Sequence, residues 1–101
     1  MAPIEKTRAI AFDQHTISDT ALALVDLDFT QTQIDATNRV VISVRSGAIN
    51  IRYDGVNPTI AIGHTFFTGD VFEIVGQNDI ANSNIIRNGA TDAAIDVTLE
   101  Q

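Results

Sequence analysis

The sequence predicts an all-β fold: a single-domain antiparallel β-sandwich of jelly-roll type with about eight short strands. Apolar residues recur at every second position, most clearly in Ala93–Leu99, which is typical of a half-buried strand. Turn residues separate such runs at Asp54-Gly55, Gly69-Asp70 and Asn88-Gly89. No segment carries the sustained apolar stripe of an amphipathic helix. A chain of 101 residues has the size of one domain, which buries roughly two-thirds of its unfolded surface.

The N-terminal region is predicted to hold an arm and the first strand. We interpret Met1–Lys6 as a short arm and residues 7–101 as the sandwich domain. Ile10 and Phe12 lie two positions apart, so we predict a strand in Lys6–Asp13.

The segment that follows is predicted to contain two loops and one further strand. Asp13-Gln14-His15 has the composition of a loop. Ala21–Leu27 has good helix propensity. We nevertheless predict a strand there, because the run is short, is bounded by polar turn residues and continues into Phe29-Thr30 with β-type composition. Gln31–Asn38 is a polar connection, which we predict to be a long exposed loop.

A hairpin is predicted in the middle of the chain. Arg39–Arg45 and Ala48–Tyr53 both alternate between apolar and polar residues, and Ser46-Gly47 is suited to a tight turn between them. In the second of these strands the apolar residues share one face, whereas Asn50 and Arg52 lie on the other.

The C-terminal part continues the same pattern. Strands are predicted in Val71–Val75, in Ile80–Arg87 and in Ala93–Leu99. We expect Gln77-Asn78-Asp79 to turn the chain between the first two of them, and Asn88-Gly89 to form a hairpin turn between the last two.

Charge and cysteine content exclude several classes of function. Thirteen carboxylates against six Lys and Arg give a formal net charge of −7. The basic residues are dispersed, so direct binding to nucleic acid or to an anionic membrane is not expected. The chain has no cysteine, which excludes disulfides, thiolate nucleophiles and cysteine-ligated metals. The first residues lack the apolar core of a signal peptide, so we expect assembly in a cytoplasm.

No complete catalytic or metal-binding pattern is present in the sequence. His15 and His64 are its two histidines, and neither belongs to a short metal-ligand cluster. No serine lies in a G-x-S-x-G turn. We therefore expect no enzyme activity, no catalytic residue, no metal site and no cofactor.

Five residues are candidates for contacts that fix a neighbouring subunit or its register: Arg52, Asp54, Arg87, Ile4 and Lys6. Arg52 and Asp54 lie at positions i and i+2 at the end of a strand, where they can pair side by side. Such a pair contributes about 0–1 kcal/mol at an exposed surface, but beneath a neighbouring subunit it would fix register. For Arg87, next to a turn, the solvent-exposed interpretation is favoured. Ile4 and Lys6 belong to the arm, which we expect to reach a neighbour.

A set of motifs extends over about half of the chain, from Ala48 to Leu99. They are Arg52-Tyr53-Asp54-Gly55, Pro58-Thr59, Gly63-His64, Gly69-Asp70-Val71-Phe72, Ile86-Arg87 and Thr91-Asp92-Ala93. In these motifs the chain resembles a family of small β-sandwich virion proteins of tailed bacteriophages, some of which are similar to capsid decoration (cement) proteins.

The resemblance implies a non-enzymatic structural protein of the virion. The expected function is that of a decoration protein that binds the outer head surface, with the major capsid protein as its partner, after assembly in the host bacterial cytoplasm. Since 45% of the residues are hydrophobic and the core is thin, we also expect a homo-oligomer, with a trimer favoured. Two alternatives are a structural protein of the tail or head–tail adaptor, and a small cupin-like metal-dependent enzyme.

Overall fold

Residues 8–101 of the chain are described by the computed structural model, and they form a mostly antiparallel β structure with two four-stranded sheets. The eight strands are β1 (Ala9–Ile17), β2 (Leu22–Ala23), β3 (Arg39–Ser46), β4 (Ala48–Arg52), β5 (His64–Phe67), β6 (Val71–Val75), β7 (Asn84–Arg87) and β8 (Ala93–Glu100). The helices are short: α1 (Gln31–Asp35), α2 (Gln77–Ala81) and a 3-10 helix (Leu24–Asp26). The prediction of an all-β, sandwich-like domain is confirmed.

The chain passes repeatedly between the two sheets. The first sheet has the order β1-β8-β3-β6, and the second has the order β2-β7-β4-β5. Every paired neighbour runs antiparallel. Among consecutive strands of the described chain, only β4 and β5 pair directly with each other.

One apolar core is shared by the two sheets, and the alternation of the strands builds it. In β8 every second residue is buried, as the sequence predicts for Ala93–Leu99. In β4 the residues Ile49 and Ile51 are buried on the same face. Leu24, Ile34 and Ile80 add apolar side chains from the 3-10 helix, α1 and α2. Strand periodicity therefore accounts for most of the core, and the three helices contribute one buried side chain each.

Strand β1 is longer than predicted. Asp13-Gln14-His15 lies within it, so the interpretation of these residues as a loop is wrong. Asp13 pairs with Val97 and His15 pairs with Ile95 of β8. Pairing along the whole length of β8 outweighs the low intrinsic strand preference of the three polar residues.

The strand predicted for Ala21–Leu27 is wrong over most of its length. Only Leu22–Ala23 pairs, with β7, and the next three residues form the 3-10 helix. The carboxylate of Asp26 accepts a hydrogen bond of 2.8 Å from the backbone N–H of Ala23. This local bond satisfies a backbone donor that a longer strand would have paired in a ladder.

The loop predicted at Gln31–Asn38 and the turn predicted at Gln77-Asn78-Asp79 contain helices instead, and the strand predicted over Ile80–Arg87 is present only as Asn84–Arg87. At the first, the Thr30 hydroxyl accepts from the backbone N–H of Gln33 at 3.1 Å, and the Gln33 side chain accepts from the Thr30 N–H at 2.9 Å. This is a capping box, and its T-x-x-Q pattern is visible in the sequence. At the second, α2 begins after Gly76, whose φ is 96°. Helices of five residues are marginal alone, so burial of one isoleucine in each helps to hold them.

The hairpins predicted at Ser46-Gly47 and Asn88-Gly89 are wrong, because the strands on either side of each turn lie in different sheets. Gly47 makes the first crossing with φ of 73°, and a Cβ there would lie 3.0 Å from the Cα of Ala93. Two amphipathic strands bury their apolar faces equally well side by side or across a core. The alternating pattern does not distinguish these arrangements, since both give each strand one buried face.

We expect Ile51→Asp and Val97→Asp each to unfold the protein. Both side chains are fully buried, and an unpaired carboxylate there would cost about 4–5 kcal/mol or more, against a total stability of about 5–15 kcal/mol. Circular dichroism and thermal melting provide the measurement. Phe12→Asp is the control, because this phenylalanine is exposed on β1. Near-native melting of either core variant would show that its face has been assigned wrongly.

Candidate interaction site

An open cleft lies where the chain leaves β4 and returns in β5. Its volume is about 520 Å³. Its lining consists of Arg52, Tyr53, Asp54, Ile62, Gly63 and His64. We refer to it as the Arg52 cleft. The cleft combines a charged pair, two aromatic rings and one aliphatic side chain, so it offers both polar and apolar contacts to a partner.

Arg52 and Asp54 form a two-pronged ion pair at the rim of this cleft. Arg52 Nε donates to Asp54 Oδ1 at 3.1 Å, and Nη2 lies 2.5 Å from Oδ2. The hydrogen bond from Arg52 lowers the pKa of the Asp54 carboxyl, and the same bond raises the pKa of Arg52. Asp54 Oδ1 also accepts from the backbone N–H of Val56 at 3.3 Å. The carboxylate therefore fixes both the guanidinium and the start of the loop that follows β4.

Tyr53 and His64 form the aromatic part of the cleft. Their ring centroids are 5.7 Å apart and the rings are tilted by 32°. Burial raises the pKa of the Tyr53 hydroxyl, and the negative charge of Asp79 raises it further. The phenol is thus held in its neutral, donating form at and well above neutral pH.

The loop between β4 and β5 is held against the second sheet by the side chain of Asn50. Asn50 Nδ2 donates to the carbonyl of Thr59 at 2.9 Å. Asn50 Oδ1 accepts from the hydroxyl of Thr65 at 2.6 Å and from Asn88 Nδ2 at 2.9 Å. Gly63 passes directly over it, since a Cβ there would lie 3.0 Å from the Cβ of Asn50. These hydrogen bonds hold the chain on both sides of Gly63, which is a lining residue of the Arg52 cleft.

Asn50 is the residue near the candidate site whose burial the sequence did not reveal. Its parity places it on the outer face of β4, as predicted, but the residue is 1% exposed. A polar residue at an outward position is normally assigned to solvent. Only the position of Gly63 could have indicated a close backbone approach.

Arg87 does not line the Arg52 cleft. Arg87 Nη1 lies 2.5 Å from Asp92 Oδ1, and its Nε donates to the carbonyl of Gly89 at 3.2 Å. In the β4–β7 ladder Arg87 pairs with Ile49, whereas Arg52 pairs three residues further along β4. Arg87 and Arg52 therefore belong to opposite ends of the ladder. Ile4 and Lys6, with the rest of the predicted arm, lie outside the described residues.

A second feature is an apolar edge formed by β5 and β6, which we call the β5–β6 edge. The two strands are edge strands of different sheets. Phe67 of β5 is 60% exposed, and Val71 and Val75 of β6 are also exposed. Strand alternation places Phe67 on the outer face of the second sheet and the two valines on the outer face of the first. Between the sheets the rings of Phe66 and Phe72 stack with centroids 3.8 Å apart. The sequence pattern predicts that these residues lie in apolar strands, but it does not indicate which of them are exposed and which are buried.

Charged groups at the β5–β6 edge have partners within the same chain. Asp70 Oδ2 accepts from the backbone N–H of Phe67 at 2.8 Å. Glu73 lies 3.4 Å from Arg39, which also pairs with Glu100. A partner that covered Val71 and Val75 would thus bury apolar surface beside Glu73, a carboxylate that already has a cationic partner.

The histidines do not assemble a metal centre. His15 Nδ1 lies 2.9 Å from Asp13 Oδ2, and that oxygen also accepts from the backbone N–H of Asp28 at 3.1 Å. Within residues 8–101 no group of three or more His, Cys, Asp or Glu side chains could hold a metal ion.

The part of the chain that the structure describes contains no helix with the length and apolar character that a membrane span requires.

Comparison with protein-family models, with curated proteins and with solved structures finds no match for this chain.

We expect the absorbance change of tyrosine ionisation to have its midpoint above pH 10, because burial and Asp79 both raise the pKa of Tyr53. Tyr53 is the only tyrosine of a chain without tryptophan, so ultraviolet titration reports on it alone. The contribution of the neutral Tyr53 hydroxyl to the free energy of unfolding is fully present below the unfolded pKa of about 10. It is lost as the pH rises through the higher folded pKa.

Asp79→Asn is the matched variant for this titration. It removes the smaller of the two causes, so the midpoint should fall and still exceed that of the unfolded chain. A wild-type midpoint equal to that of the denatured protein would contradict the burial of the phenol.

Proposed function

We propose that this chain is a non-enzymatic structural protein of a tailed-bacteriophage virion, and that it binds the outside of the head as a decoration protein. The observation that supports the proposal is that two of the sequence motifs contribute residues to the same cleft. Arg52-Tyr53-Asp54 and Gly63-His64, which carry part of the resemblance to phage virion proteins, lie within the lining of the Arg52 cleft. Two separate motifs of the set, on either side of the loop between β4 and β5, thus contribute to one surface feature that a partner could contact.

We also propose that the sandwich is of jelly-roll type. The strand pairs support this topology, because they are nested: β1 pairs with β8, β2 with β7, β3 with β6 and β4 with β5. A jelly roll wraps a long antiparallel hairpin into two sheets, which produces this nesting. Shells of viruses make wide use of the same architecture, so the topology agrees with a role in a particle.

Self-association through the β5–β6 edge is the next part of the proposal. The exposed apolar residues on this edge favour contact with another protein surface. Glu73 of β6 pairs with Arg39, so a second copy with the same net charge of −7 can cover the exposed valines beside it, provided that Asp70 stays in contact with solvent. We propose a homo-oligomer, with a trimer favoured because shells offer three-fold positions to a symmetric partner.

Attachment to the major capsid protein would follow from many weak contacts held in the fixed geometry of the shell. A strongly acidic protein gains little from attraction to another acidic surface. Apolar contact and the hydrogen-bonding groups of the Arg52 cleft would therefore supply the affinity. Binding of this kind changes little with moderate salt, because screening acts on exposed charges.

The self-association proposal is tested by a pair of phenylalanine variants. Phe67 lies on the β5–β6 edge and Phe12 on β1 at the other edge of the first sheet, and they are 60% and 61% exposed. We expect Phe67→Asp to weaken self-association by about a hundredfold or more, equivalent to about 2.7 kcal/mol, since it would bury an unpaired carboxylate between copies. Phe12→Asp should leave it unchanged. Light scattering across a micromolar concentration series gives the measurement.

Equal effects of the two substitutions would contradict the choice of edge. A wild-type protein that is monomeric throughout the series would contradict a preformed oligomer.

The decoration proposal is tested with phage heads that lack the protein. Purified protein should add density to the outer head surface in cryo-electron microscopy, survive a moderate rise in salt and increase the resistance of the heads to heat. Arg52→Ala and Asp54→Ala should reduce occupancy if the cleft contacts the shell, and Arg45→Ala is the control because Arg45 lies on the first sheet. Heads without added density would rule out decoration, and density confined to the tail would favour a tail or adaptor protein.

A further inference from the structure

Two dipeptides in this chain have the composition that favours succinimide formation, a side-chain carbonyl followed by glycine. They are Asp54-Gly55 and Asn88-Gly89. Glycine has no side chain to obstruct attack by its own backbone nitrogen, and its backbone freedom allows the required geometry. The two sites differ in whether that nitrogen is available.

At Asp54-Gly55 both reacting groups are engaged. The backbone N–H of Gly55 donates to the carbonyl of Asn82 at 3.0 Å. The Asp54 carboxylate is held by Arg52, which keeps it ionised and a poor electrophile. This site is therefore protected in the folded protein.

At Asn88-Gly89 the nucleophile is free. Within residues 8–101 the backbone N–H of Gly89 has no hydrogen-bond acceptor, although the neighbouring Asn88 N–H donates to Ala48 at 2.9 Å. Gly89 has φ of 90°. If a Cβ were added to Gly89, no heavy atom would lie within 4 Å of it, apart from atoms of Gly89 itself and of its two chain neighbours. The turn at this glycine therefore has room to move.

We propose that Asn88 is the site of spontaneous deamidation in this protein. Base removes the amide proton of Gly89, and the nitrogen attacks Cγ of Asn88. The N–Cγ bond forms, the Cγ–Nδ2 bond breaks, and ammonia leaves after taking up a proton. Water then opens the cyclic imide at either carbonyl, which gives aspartate or isoaspartate at position 88. The only co-reactant is water, and no oxidant or reductant takes part.

The product disrupts the hydrogen-bond network of Asn50. In the native protein Asn88 Nδ2 donates to Asn50 Oδ1. Deamidation replaces this donor with a carboxylate oxygen, so two acceptors face each other at a residue that is almost fully buried. Asn50 also holds the carbonyl of Thr59. The modification therefore weakens the attachment of the loop that forms the Arg52 cleft, and this consequence is independent of the proposed function.

Peptide mapping by mass spectrometry after prolonged incubation of the folded protein in mildly alkaline buffer tests the proposal. We expect conversion at Asn88 ahead of every other asparagine, with isoaspartate detected there by enzymatic methylation and none at position 54. The bond to Asn50 should make conversion slower than in denatured chain. Intact Asn88 after a time in which the folded chain deamidates elsewhere, or isoaspartate at 54, would overturn it.

The consequence is tested separately with Asn88→Asp, which reproduces one product. We expect its thermal midpoint to fall by about 5 °C or more. Asn57→Asp is the matched control, because it adds the same charge at an exposed loop position. Equal midpoints for the two variants would show that the Asn88 bond does not hold the network.

Discussion

The hydrogen-bonding requirement of one buried amide, that of Asn50, organises one face of this protein. A buried amide that lacks partners costs about 1–3 kcal/mol, and Asn50 meets the requirement with groups from three separate parts of the chain. These are the loop after β4, the strand β5 and the turn between β7 and β8. Satisfying one side chain therefore fixes these three segments relative to one another, and with them the position of the Arg52 cleft.

The local sequence pattern predicted where most strands lie along the chain, but it did not predict which strands pair in the same sheet. The alternation in β3, β4 and β8 is strong, and these strands begin and end near their predicted limits. The same alternation is compatible with pairing in one sheet or with packing across the core. The turns at Gly47 and Asn88-Gly89 were therefore predicted as hairpins, although they carry the chain between sheets. Short helices were missed for a related reason, because five residues show too little periodicity to indicate helix.

In the candidate site, too, a contact between residues close in sequence could be predicted, whereas contacts between distant residues could not. The Arg52–Asp54 pair could be predicted, because the two residues are only two positions apart where β4 ends and their side chains can meet there. The contacts of Asn50 could not, since they join residues up to 38 positions apart. The exposure of Phe67 was equally inaccessible, because an edge strand and a central strand have similar composition. For the contacts of Asn50 and the exposure of Phe67, the deciding fact was the neighbour of a strand and not its own residues.

The nested order of the strands also determines when the protein can fold during its synthesis. Strand β8 lies between β1 and β3, and Val97 pairs with both Asp13 and Ile42. The first of these pairings closes a loop that includes most of the chain, and such distant pairings slow folding. A ribosome adds about 5–20 residues per second, so β1 waits several seconds for the ladder partner that it finally receives. The first sheet is therefore completed only after β8 has emerged, and until then the ladder positions of β1 and β3 that face β8 stay unpaired.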